Sequence, residues 1–251
     1  MPTQLFFTRL LNHYFAGPVN SLLHALHVDS MFRSLNVPVY PRAPITNAFA
    51  MELLVFLLLV GYFIAVRLSL KVETPGPVQH LAEITNEFVV DQSEQIIGHG
   101  YERFTSYLTA IALFILLGNL MGLVPGLESP TADITVPLGL ALLTFVYYHF
   151  SGIRSNGFGY IKQFLGPLWW LSWLMLPIEV ISHVARVLSL TVRLYANMFA
   201  GDLLTLVFFS LIPVGIPVIF LGLHFGVAIV QAYVFFLLAS IYLSLAVAHE
   251  H

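Results

Sequence analysis

The chain has no cysteine among its 251 residues. That excludes disulfides and thiolate metal sites, and it leaves the redox compartment open. Charge is the second scarcity. Asp, Glu, Lys and Arg together make 9% of the chain, where a soluble domain carries about 25%. Hydrophobic residues make 58%, and mean hydropathy is +0.86. These values place the chain among integral membrane proteins before any motif is read. The net charge of −3 points to no nucleic-acid partner. A secretory leader is not expected, because Arg9, Asn12 and His13 interrupt the apolar run where its core would continue.

What is present is a series of long apolar runs. Residues 3–27 come first and are mildly amphipathic: Phe6, Leu10, Leu22, Leu23 and Leu26 alternate with Arg9, Asn12, His13 and His24. One or two interfacial helices are expected there. His24 and His27 have a spacing that suits a metal, but solvated interfacial histidines are the simpler reading. Pro38, Pro41 and Pro44 make 36–46 a loop. Residues 1–47 thus form an N-terminal interfacial or extramembrane segment, and 48–251 a single polytopic helical membrane domain. A hydrocarbon core about 30 Å thick needs about 20 apolar residues per crossing. The expected spans are 48–70, 104–123, 134–151, 166–211 and 216–247, with Glu52 snorkelling near the start of the first.

Residues 78–98 differ in kind. Glu83, Glu87, Asp91 and Glu94 share one helical face, and Leu81, Ile84 and Phe88 supply an apolar strip. The pattern fits a surface helix on the membrane or a partner, although an acidic stripe is also simply a solvated face. Asn119 falls near the end of the second span, and Asp133 is placed as an N-cap of the third. Trp169, Trp170 and Trp173 mark an interfacial belt.

From Ile178 to Leu211 only Gly201 interrupts the helical pattern, and the last span runs on to Val247. Each exceeds 30 residues, about 50 Å at 1.5 Å per residue. Such helices cross a thinner core by tilting. The expected fold is therefore an all-α integral membrane protein of about five embedded helices, the last two a long, steeply tilted antiparallel hairpin. Arg67, Lys71, Arg103, Arg154 and Lys162 crowd one set of connections, and the loop 124–133 carries only Glu128 and Asp133. Lys and Arg excess marks the cytoplasmic side, so the C-terminus is expected inside and the N-terminus outside. Arg9, Arg33 and Arg42 weigh against that.

The polar groups inside these spans are the candidate site. At about 100° per residue, Glu179, Ser182, His183, Arg186, Ser189, Arg193 and Asn197 fall within a third of one helix's circumference. Asp202 lies well away from them. On the last helix His224 and Gln231 share a face, with Tyr242 beyond. No pair of histidines on one span has metal-ligand spacing here, and no Ser/His/Asp set stands out. Ionisable groups in membrane bundles mark ion and proton relays. Each has a plainer reading. Ser182 and Ser189 suit helix packing, His183, His224 and Gln231 suit interhelical hydrogen bonding, and Arg186 suits snorkelling or pairing with Glu179. Arg193 is harder to dismiss, because its own helix offers no carboxylate three or four residues away. Its partner must come from another helix or another chain.

The stretch Ser189-Leu190-Thr191-Val192-Arg193-Leu194-Tyr195-Ala196-Asn197-Met198-Phe199-Ala200-Gly201-Asp202 resembles the signature of subunit a of F-type ATP synthases. Gly118-Asn119-Leu120-Met121-Gly122-Leu123-Val124-Pro125, Pro130-Thr131-Ala132-Asp133-Ile134, His224 with Gln231-Ala232-Tyr233-Val234-Phe235, and Ala248-His249-Glu250-His251 extend the likeness. It covers about 75–251, and the first 45 residues carry no family signal. The resemblance implies a non-catalytic, proton-conducting stator subunit in a bacterial plasma membrane, without cofactor or metal. Its implied partners are the c-subunit ring, the b subunits of the peripheral stalk and the other synthase subunits. Arg193 is implied to face the ring and separate two offset half-channels. A guanidinium stays charged, and an opposite charge nearby favours an ionised carboxylate, so a passing c-subunit carboxyl releases its proton there. Asn197, Asp202, His224 and Gln231 map onto the external half-channel, and Glu179, Ser182 and Ser189 onto the cytoplasmic one. Many relatives carry Glu where Asp202 stands, so a bridging water to His224 is expected rather than direct contact. His183 has no match, and Arg186 matches a basic position of uncertain role. Two rival classes are a secondary cation/proton transporter and a non-conducting membrane anchor. The first calls for repeats and broken helices that this sequence lacks. The second leaves Arg193 unexplained.

Overall fold

The computed structural model describes residues 4–25, 44–71, 76–124, 126–157, 160, 172–211 and 215–247. These contain seven α-helices and no strand. In chain order they are α1 (Phe6–Ala25), α2 (Asn47–Ser69), α3 (Pro77–Ile97), α4 (Glu102–Met121), α5 (Thr135–Asn156), α6 (Ser172–Leu211) and α7 (Ile216–Val247), with a 3-10 turn at Pro130–Ala132 between α4 and α5. Five of them, α2 and α4 to α7, are long and apolar enough to cross a membrane. A helix satisfies its backbone within itself, which is the condition for lying in hydrocarbon.

Local chemistry sets several of the ends. Thr46 accepts a hydrogen bond from the N–H of Phe49 and caps α2. Pro77 opens α3, where its missing N–H costs nothing. Gly98 ends α3 at φ +75, a conformation that side chains resist. Asp133 Oδ1 accepts from both the N–H and the hydroxyl of Thr135 at the entry to α5. α6 begins at Ser172, before Ile178, and takes in Pro177. That proline, the sixth residue of the helix, forfeits the backbone hydrogen bond that would run to the Trp173 carbonyl.

α7 is the centre of the bundle. Phe235, Phe236, Ala239 and Leu243 are buried from two sides. One cluster joins α7 to Phe104 and Leu108 of α4, Tyr148 of α5 and Val89 of α3. The other joins it to Ile111 and Ile115 of α4 and to Leu190, Leu194 and Met198 of α6. α1 and α2 pack apart, against Met121 at the end of α4. The last two helices form the expected hairpin. Arg186 meets Tyr242, Asn197 meets Gln231 and Asp202 meets His224, so one number falls as the other rises.

Asn12, on the polar side of the α1 pattern, is buried, because its side chain bonds both backbone groups of Ile45 at 3.1 and 3.0 Å. The strip Leu81, Ile84 and Phe88 is exposed, with the Phe88 ring 6.0 Å from that of Tyr233 on α7. α3 packs inward through Gln79, Val89 and Ser93. Gln79 belongs inside because it bonds both backbone groups of Lys71 and donates to Glu83. The acidic face of α3 is exposed. His27, Arg33, Pro38, Pro41, Arg42, Pro125, Lys162, residues 166–171 with Trp169 and Trp170, Pro213 and the closing 248–251 lie outside the described residues. Trp173 is exposed at the start of α6.

Candidate functional site

α6 carries most of the candidate polar residues, and its environment is unusual. In its most apolar stretch 11% of the residues are buried within the chain, against 44% in that of α7. Val184, Leu188 and Val192 stand exposed at four-residue steps on one face. Arg193 lies at the edge of that face, half-buried. Its guanidinium donates to the Ser189 hydroxyl at 3.2 Å, and no carboxylate among the described residues pairs with it.

Two polar assemblies lie on either side of Arg193. Toward the turn between α6 and α7, Asn197 donates to Gln231 Oε1 at 2.9 Å. Further on, Asp202 Oδ1 is 3.6 Å from His224 Nδ1. That separation is within ion-pair reach and beyond a hydrogen bond. Asp202 comes to this group although it stands away from Asn197 around its own helix, because α7 supplies the partner. His224 is buried, and its Nε2 has no hydrogen-bond partner among the described residues. Gly201 makes room for the imidazole: a Cβ there would lie 3.0 Å from Nδ1.

The end of α4 and the 3-10 turn close this region. Asn119 donates to the Ala228 carbonyl of α7 at 3.3 Å and accepts from Thr131 at 2.6 Å. Ser129 shares a hydrogen bond with Thr131 and donates to the Gly118 carbonyl. Asn119, Ser129 and Thr131 are all buried. Asp133, by contrast, is exposed and serves its cap.

Toward the start of α6 the second assembly brings together residues from α5, α6, α7 and the α5–α6 connection. His183 Nε2 is 3.3 Å from Glu179, and Nδ1 shares a 2.8 Å hydrogen bond with the Tyr148 hydroxyl. His149 Nδ1 shares a 2.6 Å hydrogen bond with Tyr160. Arg186 lies 5.3 Å from the Tyr242 ring centre, a cation–π contact rather than the pairing with Glu179 open from the sequence. Ser182 lies on the same stretch of α6, half-buried. Burial pushes the Tyr160 hydroxyl up to about 12; Glu179 adds to the shift and Arg186 opposes it. Tyr160 is therefore a neutral hydroxyl at any working pH. Gly152 is the slot its ring fills, since a Cβ there would come within 2.5 Å of Cε2.

The structure thus gathers the candidates into two groups. Asn197, Asp202, His224 and Gln231 lie along the α6–α7 seam beyond Arg193, with Asn119 behind them. Glu179, Ser182, His183 and Arg186 lie toward the other end. Tyr148, His149 and Tyr160 were not foreseen. The signal available for His149 was an ionisable residue inside an apolar span. Nothing local marks Tyr160, whose partner is 11 residues away. No group of three or more metal-ligating side chains occurs among the described residues.

Five apolar helices, with ionisable side chains turned onto one another inside them, define an integral membrane protein of the all-α class. The chain belongs to the family described as ATP synthase A chain, whose profile matches residues 48–244. It is 56% identical to ATP synthase subunit a of Koribacter versatilis (strain Ellin345), over the full length of both chains. To ATP synthase subunit a of Solibacter usitatus (strain Ellin6076) it is 44% identical, covering 86% of this chain and 93% of the relative. To that of Solidesulfovibrio magneticus (strain ATCC 700980 / DSM 13731 / RS-1) it is 42% identical, covering 93% and 90%. The likeness therefore begins well before residue 75 and, in the first of these relatives, takes in the N-terminal segment that carried no family signal by inspection.

Proposed function

We propose that this chain is the proton-translocating stator subunit of a rotary ATP synthase, a non-catalytic membrane-sector component. Arg193 is proposed to separate two offset half-channels. The observation that carries this reading is a permanently charged guanidinium, without a carboxylate partner among the described residues, at the edge of an exposed apolar face and between two polar assemblies. A buried or half-buried charge needs an opposite charge. The exposed face of α6 is where another subunit's carboxyl can supply it. A ring of c subunits, each presenting one carboxyl in turn, meets the requirement. Beside Arg193 such a carboxyl gives up its proton, and after passing it regains one from the other side. The fixed positive charge also keeps a proton from crossing directly between the two paths.

In this reading Asn197, Gln231, Asp202 and His224 form the external path. Glu179, Ser182 and Ser189 form the cytoplasmic one. The C-terminus lies in the cytoplasm and the N-terminus outside, in a bacterial plasma membrane, as the Arg and Lys distribution supports. The exposed acidic face of α3 and the exposed strip of Leu81, Ile84 and Phe88 suit contact with the b subunits or lipid. A secondary transporter calls for a closed midplane site between repeats, and nothing in the described helices favours that. An anchor without conduction gives the two assemblies no task.

Proton flux into vesicles holding the purified intact complex tests the reading through Arg193→Ala. Loss of ATP-driven pumping, with a raised passive leak, is expected. Pumping at near-parent rates would make Arg193 a packing residue and overturn the proposal.

A further inference from the structure

The assembly at the start of α6 holds more acid–base side chains than the function above uses. Both ring nitrogens of His183 are engaged, Nε2 toward Glu179 at 3.3 Å and Nδ1 with the Tyr148 hydroxyl at 2.8 Å. A ring held in this way can take a proton at one nitrogen and release another from the second. The ring of His149 lies 4.7 Å from that of His183, centre to centre. His149 in turn bonds Tyr160, which stands past the end of the α5 span. His183, Tyr148 and Tyr160 are all buried, whereas the Glu179 side chain is 39% exposed. The string therefore starts at a half-open carboxyl on α6 and runs through the packed interior to the connection between α5 and α6.

We propose that His183 is a further proton-transfer residue of this chain, passing protons from Glu179 to Tyr148, with the His149–Tyr160 pair carrying them on to the α5–α6 connection. The inference rests on the stator reading and extends its cytoplasmic path. Each step breaks one N–H or O–H bond and forms one. The Glu179 carboxyl gives its proton to Nε2 of His183. The Nδ1 proton moves to the Tyr148 oxygen as the Tyr148 hydroxyl proton leaves to a water molecule beside His149. His149 takes up that proton at Nε2 and gives its Nδ1 proton to Tyr160, whose hydroxyl proton passes to bulk water. Glu179 is left ionised, ready to accept the next incoming proton, and every other group of the string ends neutral. The imidazoles end in the opposite tautomers and the hydroxyls in the opposite orientation, and rotation with proton exchange resets them before the next transfer.

Tyr148 also positions His183, and Gly152 positions Tyr160, so the relay depends on packing as well as acid–base chemistry. The test must separate the two. Glutamine at position 183 can hydrogen-bond on both sides but cannot take a proton at one atom and release it at another. In reconstituted intact complex, His183→Gln is expected to keep assembly and detergent-released ATP hydrolysis, yet to lower ATP-driven pumping about tenfold or more, below the 10²–10⁴ typical of positioned acid–base groups because water offers a bypass. Added imidazole is expected to restore part of the flux in His183→Ala. Near-parent pumping by His183→Gln overturns the relay. If the His183 variants do not assemble, Tyr148→Phe decides, since it keeps the ring and loses only the hydroxyl: a pumping loss supports the relay, near-parent pumping refutes it. Arg193→Ala measured alongside keeps the two ideas apart. Pumping that survives Arg193→Ala removes the stator reading, whereas a dead Arg193→Ala beside a normal His183→Gln removes only the relay.

Discussion

Gly201→Ala puts the smallest possible perturbation at the contact between α6 and α7. The added Cβ would lie 3.0 Å from Nδ1, 3.2 Å from Cε1 and 3.3 Å from Cγ of His224, all closer than ordinary contact at 3.4–4 Å. The imidazole is buried and its neighbours are packed, so it must yield by a few tenths of an ångström. Asp202 already stands 3.6 Å away, so such a retreat takes the pair toward the limit of ion-pair reach. Overpacking of this kind costs about 1–3 kcal/mol. If that cost falls on proton transfer at His224, each 1.36 kcal/mol is about tenfold, and pumping drops roughly 5- to 150-fold. Replacing glycine by alanine inside a helix also gains about 0.5–1 kcal/mol from backbone entropy. Gly222→Ala on α7 shares that gain and meets nothing within 4 Å, which makes it the matched control. ATP-driven acidification of vesicles, normalised to assembled complex, compares the two. Equal pumping by Gly201→Ala and Gly222→Ala would refute the reasoning, because the imidazole would then have no need of its present place.

Asn119→Leu removes the oxygen that accepts from Thr131 and the amide that donates to the Ala228 carbonyl, while Thr131 keeps its bond to Ser129 and the carbonyl stays within the α7 ladder. About 0.5–1.5 kcal/mol per lost hydrogen bond is the expected loss, read as a lower thermal midpoint of the purified protein in detergent; an unchanged midpoint contradicts the buried network. Tyr160 gives a pH signature. Its hydroxyl holds its proton up to about 12, against an ordinary 10, so the folded state binds that proton more tightly than the unfolded chain. The stability this supplies is complete below pH 10 and is lost as pH rises toward 12. Thermal midpoints of parent and Tyr160→Phe across that range are expected to converge as the parent declines, and parallel curves would show that Tyr160 does not titrate this way.

The sequence by itself determined the membrane class, the number of long apolar helices and the two that exceed a bilayer's thickness. Those properties follow from local composition and length, because an apolar helix needs no distant partner to satisfy its backbone. It also singled out Arg193, since a charge in an apolar run is conspicuous wherever the helix packs. Periodicity grouped Glu179, His183 and Arg193 on one side of α6, because helical period is a local property too. What surrounds those residues was decided by tertiary structure. Asp202 looked remote from Asn197 on a helical projection, and the register of α7 brings both into one seam by setting His224 opposite the first and Gln231 opposite the second. The partners of His183 come from α5 and from its own helix, and Tyr160 reaches His149 only because Gly152 leaves a slot on α5. Asn12 falls on the polar side of an amphipathic pattern, yet it is buried because Ile45, 33 residues on, presents both backbone groups to it. Each of these depends on helix register and on small residues permitting close approach, and neither leaves a local mark in the chain.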